Sequence, residues 1–205
     1  MNDKMTSNHV ISLLGYIEDS LAPLYSEREV QQISSWLFKA YKNWSRADLA
    51  LHRYDRFTES EILKFHFALK RLKQGEPIQY VIGDVDFMGI TLRVNPSVLI
   101  PRPETEELVQ LILNENKGTE ISVLDIGTGS GCIAIALKKK NPSWEVIGID
   151  KSVNTLSTAE SNAQMHKLSM RFLKQDIFET PTIKTKFDII VSNPPYVLES
   201  DKSQM

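Results

Sequence analysis

The chain has 205 residues, enough for one full domain and a smaller companion, and its 41% apolar content is ordinary for a folded protein. Lys and Arg number 24 against 26 Asp and Glu, a formal charge of −2, so no global positive field exists to hold a polyanion such as nucleic acid. No apolar run approaches the ~18 residues of a membrane helix, residues 1–20 are too polar for a secretory signal, and the lone Cys132 excludes both a disulfide framework and a Cys-based metal site, which predicts a cytoplasmic protein.

The first 75 residues read as helices only. Three helix starts carry a capping box, in which a hydroxyl covers orphan amides and an acid reaches back: Ser26 with Glu29, Ser45 with Asp48, and Thr58 with Glu61. Apolar residues recur at helical spacing as Val10, Leu13, Leu14, Ile17 and Leu21, then Val30, Ile33, Leu37 and Tyr41, then Ile62, Phe65, Leu69 and Leu72. Each stripe needs a partner, so residues 1–75 form an all-α bundle, closed where Gly75, Glu76 and Pro77 stop the last helix. From Gln79 to Ile100 the pattern turns β-like around Met88-Gly89, which predicts a β-hairpin linker over 76–100.

Pro101-Arg102-Pro103 fixes an extended turn, and residues 104–116 read as a helix. Strict alternation follows: a strand at 121–126, a helix at 132–140, a strand at 146–149, a helix at 153–167, and strands at 171–174 and 187–191. Alternating strands and helices over 101–205 imply an α/β domain with a parallel, doubly wound sheet of which four strands are present.

The first of those strands runs into Gly127, Thr128, Gly129, Ser130 and Gly131, and the helix begins at once. Glycines let the backbone turn sharply and approach a ligand with no Cβ in the way. The spacing is G-x-G-x-G, unlike the G-x-G-x-x-G of dinucleotide enzymes. Asp150 ends the next strand, where a carboxylate can accept from both ribose hydroxyls, a pairing that suits an adenosyl group. A Gly-rich turn plus an Asp that caps the following helix is the blander alternative. Asp176 closes the third strand at the same edge and is equally readable as an acceptor for an adenine amino group, with Ile177 or Phe178 against the ring, or as the cap of a turn. Asp125, inside an apolar strand, needs partners in the loop amides or in a ligand's charged amine.

The last strand delivers Asn193-Pro194-Pro195-Tyr196 to the same edge. Two prolines remove two backbone donors and stiffen the chain, leaving carbonyls to accept. Methylating a planar nitrogen requires acceptors that hold its N–H groups and favour pyramidalisation. The Asn193 oxygen and the Pro194 carbonyl suit that task, and Tyr196 offers a face for the planar group.

NPPY after a GxGxG loop resembles the methyltransferases that act on planar nitrogens, both DNA-adenine and protein-glutamine enzymes. The blocks GEPIQYVIG, VLIPRPETE, VLDIGTGSGCIAIAL and FDIIVSNPPY, in that order between Leu72 and Val197, are similar to the release-factor glutamine methyltransferase family (HemK/PrmC). That resemblance implies a Rossmann-like class I methyltransferase fold and S-adenosylmethionine as cofactor. It also implies methylation of the GGQ glutamine of peptide-chain release factors, gripped in part by the helical domain, with no metal and no direct nucleic-acid partner. It assigns cofactor contact to residues 127–131, Asp150, Asp176 with the position after it, and Asn193, and amide contact to Asn193, Pro194, Pro195 and Tyr196. Phe87, Arg102 and Pro103 would line the substrate side. The position after Asp176 is often aromatic in the family and is Ile177 here, which passes adenine stacking to Phe178. The chain ends nine residues after Tyr196, where the family continues through a helix, a strand and a hairpin, so a truncated chain is expected. A DNA-adenine methyltransferase is the competing enzyme, disfavoured by the near-neutral charge, and a partner-binding module without activity is the non-enzymatic alternative.

Overall fold

The computed structural model describes Met5, residues 7–179 and residues 185–194. The chain divides into two compact units, Met1–Ile82 and Gly83–Met205.

The first unit contains α1 (Val10–Leu21), α2 (Glu27–Lys42), α3 (Arg46–Leu51), α4 (Glu59–Leu72) and α5 (Ile78–Ile82). All three capping boxes form, with the hydroxyls of Ser26, Ser45 and Thr58 each accepting an amide N–H and Glu29, Asp48 and Glu61 each accepting one in return. Such a cap stabilises its helix by about 1 kcal/mol. Lys42, 2.6 Å from Glu61, joins the Thr58 donors in holding that carboxyl down to about 2. The predicted stripes meet in one core in which Phe65 lies 4.8 Å from Phe38 and 5.8 Å from Phe57, ring centre to ring centre. Residues 78–82 correct the β-like reading that began at Gln79, since they are helical. The buried pair Ile78 and Val81, three apart, packs on the helical core, and that burial overrides the strand preference of a β-branched run.

The second unit opens with a hairpin of β1 (Asp84–Phe87) and β2 (Ile90–Arg93), paired antiparallel with Phe87 opposite Ile90. Met88 and Gly89 both have positive φ, 54° and 73°, the twist that a two-residue hairpin turn requires. Then come α6 (Pro103–Glu115), β3 (Ser122–Ile126), α7 (Cys132–Lys140), β4 (Glu145–Asp150), α8 (Val153–Met165), β5 (Arg171–Lys174) and β6 (Ile189–Ser192). The sheet is parallel throughout, in the order β5-β4-β3-β6. Asp188 pins the register of its last pair: its Oδ2 accepts the Ser122 N–H at 2.8 Å and the Ser122 hydroxyl at 2.6 Å, so that Ile126 faces Ser192.

Side chains of the hairpin, α6, α7 and α8 bury one face of the sheet, around Val123, Val146 and Val191. The other face carries Leu124, Ile147 and Ile149 with Ile126 and Phe187, and among the described residues no helix of this unit joins that cluster. On the edge strand β6, Ile190 is 62% exposed.

Candidate active site

Chain order explains where the site forms. From β3 the chain passes through α7 to β4 on one side, while β6 pairs with β3 on the other, so the carboxyl ends of β3 and β6 flank the point at which the strand order reverses. Ligands of open α/β sheets bind in the crevice at such a point. Gly127 follows β3 there and Asn193 follows β6, and both line a small cleft of about 50 Å³ with Arg102, Thr105, Gly129 and Ser130.

The glycine loop is locked from below. The amides of Gly127 and Thr128 both donate to the Ile149 carbonyl, at 2.9 and 3.0 Å, and the Gly131 amide donates to the Thr128 carbonyl at 2.8 Å. Gly127, Gly129 and Gly131 take φ of 70°, 58° and 81°, a backbone that side chains disfavour. At Gly131 a Cβ would also come within 2.9 Å of Ile135 and 3.2 Å of Ala159, so loop and helices pack in direct contact there.

Asp150 accepts the Gly129 N–H on Oδ2 at 3.2 Å and the Ser152 N–H on Oδ1 at 3.0 Å. A carboxylate has about four lone-pair sites, so two backbone donors leave capacity for two ribose hydroxyls. A Cβ-free cradle beside a part-satisfied carboxylate therefore fits an adenosyl group.

Asp125 is 1% exposed, and its Oδ2 accepts the Thr128 hydroxyl at 2.7 Å, which places it under the loop rather than in open contact with a ligand. Burial pushes its carboxyl up from 3.8 to about 6, with the Thr128 hydroxyl opposing. Because folding raises this pKa, the group's contribution to stability is fully present below 3.8 and is lost as pH rises through about 6. The loss is on the order of 1–3 kcal/mol. Denaturant unfolding of the chain and of Asp125→Asn between pH 4 and 7 is expected to show that difference, and parallel pH profiles would exclude it. Desolvation at the loop, with the Asp125 charge, pushes the partly buried Cys132 thiol up to about 12.

At the other side of the cleft, the Asn193 side-chain N–H donates to the Thr105 hydroxyl at 2.8 Å. Thr105 is buried in the first turn of α6, which Pro103 opens at the first helical position after Arg102. Pro194 follows, exposed, and Pro195 and Tyr196 lie outside the described residues.

The remaining expected site residues are placed apart from this cleft. Phe87 is 1% exposed inside the core, so its side chain is spent on packing the hairpin and is not offered to a substrate surface. Asp176 accepts the Phe178 N–H at 2.9 Å, the turn-capping alternative, and lines a separate cleft of about 520 Å³ with Lys151 and Lys174. Ile177 is exposed and Phe178 is 94% exposed.

Two family patterns match the sequence: the PrmC N-terminal domain over residues 12–83 and the Methyltransferase small domain over residues 104–205. The release factor glutamine methyltransferase of Flavobacterium psychrophilum is 40% identical over 190 residues, covering 91% of this chain and 67% of that protein. Its counterpart in Streptococcus pneumoniae is 43% identical over 194 residues, covering 90% of this chain and 69% of that protein. The chain belongs to the release factor glutamine methyltransferase family. It spans about two thirds of the length of these relatives.

In this member of the family, two groups are not legible in the sequence, namely Thr105 and the pair Ser122–Asp188. Thr105 carried a signal, since it stands two residues after Pro103 in the first turn of a helix that starts beside the site. Ser122 and Asp188 are 66 residues apart and no local pattern joins them.

Proposed function

We propose that this chain uses S-adenosylmethionine to methylate the side-chain amide nitrogen of the glutamine in the GGQ tripeptide of a peptide-chain release factor, in the cytoplasm. The observation that carries the reading is the Asn193 amide, fixed by Thr105 at the mouth of the glycine loop. Membership of the release factor glutamine methyltransferase family supports the substrate. The described residues include no helix long and apolar enough to cross a membrane.

Gly127, Thr128, Gly129, Ser130 and Gly131 hold the cofactor, with Asp150 on the ribose hydroxyls and Asp176, Ile177 and Phe178 on the adenine side. The bound cofactor supplies a methyl group on a sulfonium, a leaving group that needs no further activation. Asn193 Oδ1 and the Pro194 carbonyl accept the N–H groups of the substrate amide, favouring a pyramidal nitrogen whose lone pair points at the methyl. Preorganised acceptors of this kind stabilise charge as it develops and cost no reorganisation during the reaction. Pro195 and Tyr196 complete the wall against the glutamine, and Arg102 and Pro103 line its approach.

The helical unit recognises the body of the release factor, and its cleft of about 390 Å³ sets Trp36 and Tyr25 beside the Glu29 carboxylate, while Glu76 is paired with Arg71. Such a surface suits a protein segment that presents an apolar and a basic side chain.

The test is calorimetry of S-adenosylmethionine binding in Asp150→Ala, whose affinity is expected to fall about tenfold or more, since a charge-assisted hydrogen bond is worth on the order of 1.5–3 kcal/mol. Unchanged affinity would remove Asp150 from the site. Binding of NAD in place of S-adenosylmethionine by the unsubstituted chain would sink the whole reading.

A further inference from the structure

Helix α8 turns a polar face toward the extended segment 91–97. The Thr155 hydroxyl donates to the Ser97 carbonyl at 3.0 Å, the Asn95 side-chain N–H donates to the Thr158 hydroxyl at 2.9 Å, and His166 Nε2 donates to the Thr91 carbonyl at 2.7 Å. Between them Asn162 meets Arg93. Positions 155, 158, 162 and 166 step along one face of a helix, while 97, 95, 93 and 91 step by two along one side of an extended chain. Helix and strand thus run in opposite directions with their side chains in phase.

Three of these contacts reach only the hairpin and the segment that follows it. Asn162 does more. Its Oδ1 accepts the Arg93 N–H at 2.7 Å, while its Nδ2 donates to the Arg93 carbonyl at 3.0 Å and to the Ser130 carbonyl at 2.9 Å. The side chain is 0% exposed. Its amide can sit only one way round, because a flipped amide would aim its oxygen at two carbonyls. Ser130 stands between Gly129 and Gly131, whose backbones rotate more freely than any other residue's.

We infer that Asn162 is a positioning residue for the cofactor loop. By holding the Ser130 carbonyl, it fixes the plane of the Ser130–Gly131 peptide between two glycines and so sets the surface that the loop presents to its ligand. Its double bond to Arg93 anchors that hold to the hairpin. The inference rests on the reading of residues 127–131 as the cofactor site.

The test compares Asn162→Ser with Thr158→Val, which cuts a contact of the same polar row without touching the loop. In the ligand-free chain, hydrogen exchange across residues 127–132 is expected to speed up at least about tenfold in Asn162→Ser and to stay within about twofold in Thr158→Val. Affinity for S-adenosylhomocysteine, measured by calorimetry below the unfolding range of each variant, is expected to fall at least about tenfold in the first and to stay within about twofold in the second. Unchanged loop exchange and affinity in folded Asn162→Ser would overturn the inference, as would an equal response in Thr158→Val. Should Asn162→Ser not fold, the unsubstituted chain decides: the Asn162 side-chain amide protons are expected to be strongly protected from exchange, and exchange as fast as an exposed amide overturns the assignment. Failure of the unsubstituted chain to bind the cofactor would sink the proposed function, while the exchange measurements would still decide the role of Asn162.

Discussion

Replacing Asn193 by Ala is expected to lower single-turnover methyl transfer to a release factor on the order of a hundredfold, with S-adenosylmethionine affinity changed no more than about threefold. The split follows from the placement of the residue. The loop and Asp150 are fixed by bonds to Ile149, Thr128 and Ser152 that do not involve Asn193. On the proposed reading Asn193 acts on the amide nitrogen, and an acceptor that matters most as the nitrogen pyramidalises affects the rate more than the binding. Thr105→Val is expected to give a smaller loss of the same kind, because it removes the hydrogen bond to the Asn193 amide and keeps the amide itself. Labelled methyl would be followed in this chain and in a chimera carrying the C-terminal third of the Flavobacterium psychrophilum relative, with a Gln→Ala release factor as control. Near-normal transfer by Asn193→Ala would strip that residue of its role, and label on the control would show that the substrate is another residue.

Gly148→Ala is expected to destabilise the second unit by about 3–4 kcal/mol, a larger effect than its position in a strand interior suggests. Gly148 lies in β4 opposite Asp125, and a Cβ built on it would sit 2.6 Å from Phe172 Cδ1 and 2.8 Å from Thr128 Oγ1. Relief requires both neighbours to move. Overpacking of that kind costs about 1–3 kcal/mol. Shifting Thr128 also breaks its hydrogen bond to the fully buried Asp125, and a buried polar group left unpaired costs about 1–3 kcal/mol more. Chemical denaturation followed by a signal from the second unit would measure the loss. A change below about 1 kcal/mol would mean that Phe172 swings aside freely and that Thr128 is not held as described.

Gly148 also marks the limit of what the sequence makes legible. Elements with local signatures were readable: three capping boxes, the helix at Cys132–Lys140, the strand at Arg171–Lys174 and the two-residue turn at Met88-Gly89 all depend on residues a few positions apart. So did the glycine loop and Asp150, because strand, turn and helix follow one another directly. What the sequence hid depends on distant partners. The helical state of Ile78–Ile82 is decided by a core assembled from α2 and α4. The burial of Phe87 depends on α6 and α7, and the anchoring of Asn193 depends on Thr105, 88 residues earlier. Asp176 and Phe178 are readable either as partners of a ligand or as a turn, and the bond from the Phe178 N–H to Asp176 is compatible with both.

The pairing of β3 with β6 has a kinetic consequence. Ile126 and Ser192 face each other across 66 residues of chain, whereas every contact of the capping boxes spans three. Long-range parallel pairings require the loop-closure entropy to be overcome before their contacts repay it, and they form late. As the ribosome releases the chain, the helical unit has all its residues before the first strand of the sheet exists. The glycine loop emerges next and stays half a site until β6 docks beside β3 and brings Asn193 against Thr105. Assembly of the crevice is thus tied to the last described step of sheet formation, so a nascent chain holding only β3 to β5 has the glycine loop without the Asn193–Thr105 contact that stands opposite it.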